Sequence, residues 1–176
     1  MAAQSHSIKQ YLAKHGRIRE MGYDDLGKVI EIELTAYEHP WTLGIFRDCL
    51  RVGYNCFVYE RDGAIVAYGI IMIGAGDAHV LNLCVHPQYQ NQGIGRYMLE
   101  HLEQRARDSA CNMLLLEVRE SNVIAIQLYL SAGYNELGVR TGYYPAGNGR
   151  EDAIILAKSL HAPTRDPSHQ DPGLGI

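Results

Sequence analysis

Four cysteines in 176 residues, Cys49, Cys56, Cys84 and Cys111, with no CxxC pair among them, offer neither a zinc site nor a disulfide framework. They read as buried free thiols of a reducing compartment. Charge of one sign is lacking too. Sixteen Lys and Arg against 20 Asp and Glu give a formal charge of -4, so the chain has no basic excess with which to coat nucleic acid, although a basic protein partner is left open by complementarity. No apolar run is long enough to cross a bilayer, and the opening stretch MAAQSHSIKQYLAKHGR has no apolar h-region. A cytoplasmic protein without membrane contact is the expectation. GxxxxGK followed by Ser or Thr is missing, and no GxGxxG stands near the start, which argues against a P-loop and a dinucleotide fold. His39, His79 and His86 have no ligand-like spacing, and no metal is expected.

What is present is 47% hydrophobic residues, enough for one domain with a substantial core. Residues 161–176, HAPTRDPSHQDPGLGI, are rich in Pro, Asp, Gly and Ser and are expected to be a disordered tail. Residues 1–16 form an N-terminal extension in which Ile8, Tyr11 and Leu12 suit one short helical turn. Between them, 17–160 reads as mixed α+β. RIREM is a first strand, and DDLGKVIEIELTAYE an amphipathic helix capped by Asp24 or Asp25. A second helix runs from about Thr42 to Val52. NCFVYE and AIVAYGIIMI flank an Asp62-Gly63 hairpin turn. HVLNLCV is a fourth strand, stopped by Pro87. The next helix, from about Gly93 to Ser109, carries Ile94, Met98, Leu102 and Ala106 as its core stripe, with Arg96, Glu100, Glu103 and Arg107 on the other face. NMLLLEV is a fifth strand, NVIAIQLYLSA a helix ended by Gly133, and YNELGVRTGYY and DAIILAK the last two strands.

Between HVLNLCV and its helix stands QNQGIGR, in which Gln90, Gly93 and Gly95 spell QxxGxG. Glycines where a strand hands over to a helix let backbone N–H groups converge on an anion beside the positive end of the helix dipole. A tight turn with close helix packing would require the same glycines, and the motif alone leaves both readings open.

With the neighbouring blocks LEVRESNVIAIQLYLSAGY and GYYPAGNGREDAIIL, and with HPW before the second helix, the chain resembles the GNAT acetyltransferase superfamily over roughly Arg17 to Leu160. Within it, the chain is similar to the RimI branch, which acetylates the N-terminal alanine of a small-subunit ribosomal protein. The resemblance implies a GNAT fold, a mostly antiparallel sheet splayed between its fourth and fifth strands with about four flanking helices, and acetyl-CoA as cosubstrate. It implies that Leu83, Cys84 and Val85 present backbone to the pantetheine, with an N–H near Val85 polarising the thioester carbonyl. Asn91, Gln92, Gly93, Ile94, Gly95 and Arg96 would wrap the pyrophosphate. Asn122, a helix cap on its own reading, would also hold the pantetheine arm.

For catalysis the resemblance implies Glu117 as base and Tyr129 as the acid that protonates the thiolate. Read without it, Glu117 is a carboxylate at the end of an apolar strand and Tyr129 a core aromatic. Trp41, Tyr143 and Tyr144 are loop aromatics, either structural anchors or the lining of the peptide groove that the branch implies. Asp152 either registers a basic peptide or caps the last strand. Acetylation of lysine, of other N-termini or of a small amine, and a silent acyl-CoA-binding regulator, are the alternative readings. The oligomeric state stays open.

Overall fold

The computed structural model describes residues 2–147 and 149–160; the expected tail at 161–176 lies outside them. Seven strands form one sheet: β1 (Gly16–Glu20), β2 (Asn55–Arg61), β3 (Ala64–Gly74), β4 (Asp77–Val85), β5 (Met113–Arg119), β6 (Asn135–Ala146) and β7 (Gly149–Ser159). They lie in the order β1-β2-β3-β4-β5-β7-β6. Neighbours are antiparallel except β4 and β5, which are parallel. Five α-helices cover the sheet: α1 (Ala2–His15), α2 (Leu26–Ala36), α3 (Leu43–Arg51), α4 (Ile94–Asp108) and α5 (Val123–Ser131).

The two faces of the sheet carry separate cores. On one, Met98, Leu99, Leu102 and Ala106 of α4 pack with Leu114 and Leu116 of β5, all fully buried. On the other, Val29 and Ile32 of α2 and Phe46 of α3 pack with Val58, Tyr68 and Ile70. Each such side chain contributes roughly 1.5–3 kcal/mol of burial. At the β2–β3 turn Asp62 and Gly63 both take positive φ, 51° and 79°, the mirror-image turn that an Asp-Gly pair favours.

The expected splay lies between β4 and β5, and it has a local cause. Among the described residues the two strands pair from Asp77–Met113 to Val80–Leu116 and then part. At that point β4 carries one residue more than β3, since Ile70 faces Asn82 while Ile71 faces Val80. The extra residue, Leu81, is a bulge, and a bulge bends its strand away from its neighbour. Residues 82–85 therefore stay paired to β3 while the edge toward β5 opens.

Three local expectations change. The N-terminal segment is a helix of 14 residues rather than one turn, held by Leu12, whose carbonyl accepts from the Tyr59 hydroxyl at 3.0 Å. It adds a fifth helix to the expected four. Asp25 precedes α2 without capping it through its side chain. Its carboxylate accepts instead from the Gly22 N–H at 2.8 Å and from both terminal nitrogens of Arg19 at 2.7 and 2.8 Å. Glu103 lies buried rather than on the outer face of α4, because Lys158 reaches across from β7 to both its oxygens at 2.7 and 2.8 Å.

Candidate active site

The splay opens onto two adjoining cavities of about 600 and 280 Å³, which share Tyr37, Leu83, Arg119 and Asn122 in their walls. The larger runs from the free edge of β4 to the start of α4 and across to α5. Strand alternation sets which backbone groups look into it. The His86 N–H donates to Val66 on β3, so the groups of Leu83 and Val85 point the other way, toward the opening. The carbonyl of Val85 accepts there from the Gln90 side chain at 3.0 Å, and that of Leu83 from the Tyr37 hydroxyl at 3.4 Å. Gln90, the first letter of QxxGxG, thus ties the glycine loop to the strand edge.

The two glycines answer to different constraints. Gly93 precedes α4 in the left-handed region at φ 82°, and a Cβ there would stand 2.7 Å from the Cγ2 of Ile8 on α1. Close packing and backbone shape require it. Gly95 is different, since a Cβ would meet Leu128 and Val85 at ordinary distances of 3.5 and 3.7 Å. Nothing inside the protein excludes a side chain there, and the residue borders the cavity. The ladder of α4 begins with the Tyr97 N–H donating to Gly93 at 3.0 Å, which leaves the N–H groups of Ile94, Gly95 and Arg96 without intrahelical partners at the positive end of the helix.

Asn91, at φ 60°, and Arg96 line the same wall, and Arg96 donates to the Ser131 hydroxyl. The side chains of Gln92 and Ile94 turn away. Gln92 accepts from Arg61 at 2.9 Å and Ile94 is buried in the core, which leaves only their backbone to meet a ligand. Cys84 is likewise present as backbone, for its buried thiol is pushed up to about 12 by burial and, secondarily, by the charge of Glu33. Asn122 caps α5 by accepting from the Ala125 N–H at 3.1 Å and borders both cavities.

The smaller cavity holds Glu117, which alternates with the core-facing Leu116 and Val118 and so points to the other side of β5. Its Oε1 pairs with Arg140 at 2.7 Å. Trp41 lies in the wall and packs on Phe46, as anchor and lining at once. Tyr143 and Tyr144 sit within β6 rather than in a loop. Between the Arg140–Ala153 and Tyr144–Glu151 pairs, β6 carries residues 141–143 against the single Asp152 of β7. Asp152 fixes this irregularity by accepting from the Gly142 N–H at 2.7 Å, which occupies one of its oxygens within the hairpin. The two rings touch edge to face, 5.0 Å between centroids, yet meet different surroundings. Tyr144 lines the cavity under the Arg119 guanidinium, 4.4 Å from the ring centroid, whereas Tyr143 is exposed and borders neither cavity.

Tyr129 is buried on α5 beside Tyr134. Among the described residues its hydroxyl makes no hydrogen bond. Burial raises its pKa above the ordinary phenol value, with Tyr144 and Cys84 adding to the shift, so the group keeps its proton at neutral pH. It packs in the main core under α5, and of the two cavities it lines neither.

Two residues of the site are invisible to pattern reading. Glu33, on α2, draws no role from its sequence context, yet it is buried. Its Oε1 accepts from the Trp41 N–H at 2.7 Å and its Oε2 from the Tyr68 hydroxyl. Tyr37, just past α2, borders both cavities, and burial raises its pKa well above the ordinary value. Only its place next to HPW hinted at a role.

Comparison with known proteins gives a consistent result. The model of the acetyltransferase (GNAT) family matches residues 25–134. The ribosomal protein bS18-alanine N-acetyltransferase of Escherichia coli K12 is 41% identical over 133 residues, 76% of this chain and 90% of that protein. Its counterpart from Haemophilus ducreyi is 35% identical over 137 residues, 77% and 94% of the two chains. The crystal structure of the ribosomal-protein-S18-alanine N-acetyltransferase from Escherichia coli superimposes with a TM-score of 0.79 at 36% identity, covering 86% of this chain and 97% of that one.

Proposed function

The chain belongs to the acetyltransferase (GNAT) family, and on that premise we propose that it transfers the acetyl group of acetyl-CoA to the N-terminal α-amine of an alanine-led small-subunit ribosomal protein. The observation that carries the reading is the meeting of two cavities at the free edge of β4, one ending at a glycine-bordered helix N-terminus and the other holding a carboxylate. The larger suits acetyl-CoA. Its open strand edge offers the pantetheine amides the partners that β5 gives up, and the start of α4 with Arg96 suits the pyrophosphate. The smaller suits an extended peptide terminus between Trp41 and Tyr144. The relatives named for alanine acetylation support the choice of substrate.

The chemistry then divides among the chain's own groups. Glu117 takes a proton from the α-ammonium, directly or through one water, and frees the nitrogen lone pair. The amine attacks the thioester carbonyl, whose oxygen gains charge toward the N–H of Val85 at the strand edge. As the carbon–sulfur bond breaks, Tyr129 gives its proton to the departing thiolate, and the second proton that the nitrogen sheds on becoming an amide restores the phenol, directly or through water. The products are the acetylated N-terminus and CoA. A polyamine acceptor is disfavoured by the carboxylates themselves. Among the described residues that line the cavity, Glu33 is committed to Trp41 and Tyr68 and Glu117 is paired with Arg140, which leaves no cluster of unpaired carboxylates there for a polycation.

The test is acetyl-CoA turnover on peptides beginning Ala, Ser, Met and Gly, beside free lysine and spermidine. The reading requires the alanine peptide to lead by kcat/KM. Preference for spermidine or lysine would replace the substrate while leaving the family in place.

A further inference from the structure

Helix α1 lies outside the segment matched by the family model, yet it touches the loop that the proposed function assigns to the pyrophosphate. The Cγ2 of Ile8 fills the space where Gly93 would carry a Cβ, at 2.7 Å. Arg61, at the end of β2, joins the same two elements. Its Nη1 donates to the Gln92 Oε1 at 2.9 Å, its Nη2 reaches the Tyr11 hydroxyl at 3.4 Å, and its guanidinium lies 5.8 Å from the Tyr11 ring centroid. Lys9 pairs with Glu100 on α4 at 2.9 Å. Leu12, 1% exposed, anchors the helix to the main core.

We propose that α1 is a positioning element for the cosubstrate: Ile8 and the Tyr11–Arg61–Gln92 chain hold the Gln92–Gly93 backbone in the left-handed turn that aims the first N–H groups of α4 at the pyrophosphate. The inference rests on the placement of acetyl-CoA in the larger cavity. Physically, Asn91 and Gly93 both sit at positive φ, at 60° and 82°. Such a turn persists when its surroundings over-determine it. Here the surroundings on one side are supplied by α1. Among the described residues, none of α1 is in the wall of either cavity, so the helix acts through the loop and not on the acetyl group.

The consequence is selective. Loosening α1 should weaken recognition of the diphosphate part of the donor and leave the thioester chemistry alone. Ile8→Ala and Arg61→Ala, singly and combined, are assayed with an alanine-led peptide and two donors: acetyl-CoA, and S-acetylpantetheine, which lacks the diphosphate. The combined variant should lose about five- to tenfold in kcat/KM for acetyl-CoA, the worth of one or two hydrogen bonds, through a raised KM. Its kcat/KM for S-acetylpantetheine should stay within about twofold of wild type. A variant that loses equally with both donors, or with neither, overturns the inference, since general destabilisation cannot distinguish donors. If the wild-type enzyme itself uses both donors equally well, the placement of the diphosphate at this loop fails, and the role of α1 fails with it. A truncation lacking residues 2–15 is a poorer probe because it removes Leu12 from the core.

Discussion

Tyr129→Phe deletes one hydroxyl and keeps a ring that is buried beside Tyr134. Because no hydrogen bond of the hydroxyl is formed within the protein among the described residues, and it is not one of the buried polar atoms left without a partner, the substitution sacrifices no protein hydrogen bond and exchanges only hydration. Stability should therefore move by no more than about 0.5 kcal/mol, which for a domain of this size is roughly 1–2 °C in Tm. Turnover should behave otherwise. A positioned proton donor contributes about two to four decades, or roughly 2.7–5.4 kcal/mol at 1.36 kcal/mol per decade. The raised pKa adds a pH signature. The phenol keeps its proton well beyond its ordinary value of about 10, so the wild-type rate should show no alkaline loss traceable to this group at pH below about 10. The assay is steady-state kinetics at several pH values with acetyl-CoA and with an acetyl thioester of low leaving-group pKa, next to thermal unfolding. The variant should unfold like wild type, turn over acetyl-CoA slowly and recover much of its rate with the better leaving group. Near-normal turnover, or equal impairment with both donors, would refute the acid. The search would then move to Tyr37, the tyrosine that borders both cavities, and to Tyr144.

Other perturbations probe the frame of the site. Gly93→Ala should destabilise by about 1–2 kcal/mol for its left-handed backbone alone, and more because of Ile8; in denaturant melts Ile8→Ala should relieve part of that loss, where strict additivity would contradict the packing reading. Lys158→Met strands the buried Glu103 with Arg107, at 3.5 Å, as its remaining cation among the described residues, and should cost about 3 kcal/mol; adding Glu103→Gln should restore a large part, as thermal unfolding of the pair would reveal. The hydrogen bond from Arg19, ahead of other causes, lowers the pKa of Asp25. The stabilisation is therefore present above the unfolded value of about 4 and lost as pH falls through the lower folded value. Arg19→Met should consequently lower Tm at pH 7 by roughly 2–4 °C, and the gap from wild type should close below about pH 4.

Much of the frame was legible because its signals are local. The apolar run AIVAYGIIMI, the Asp62-Gly63 pair and the i, i+4 stripe of α4 each depend on residues close in sequence. The position of the splay came through the resemblance. Its cause, the Leu81 bulge, depends on the register of β4 against β3, which no single segment encodes. The length of α1 was hidden because few of its residues are apolar; its docking depends on Tyr59 and Gly93, distant in sequence. Glu103 looked like a surface acid and Glu33 drew no role because the partners that allow their burial, Lys158 for one and Trp41 and Tyr68 for the other, come from elsewhere in the fold. Tyr143 and Tyr144 looked equivalent until the long bulge of β6 sent one ring to the cavity and the other to solvent.

The account stands on donor and acceptor entering from opposite cavities and meeting between Glu117 and Tyr129. The most direct measurement is a crystal structure with a conjugate in which the CoA sulfur is joined through an acetyl bridge to the α-nitrogen of an alanine-led peptide. The account requires the diphosphate at the Asn91–Arg96 loop, the peptide between Trp41 and Tyr144, the sulfur within hydrogen-bond reach of the Tyr129 hydroxyl, and the nitrogen within reach of Glu117 directly or through one water. A conjugate whose peptide leaves by another route, or whose nitrogen lies remote from Glu117, would contradict it.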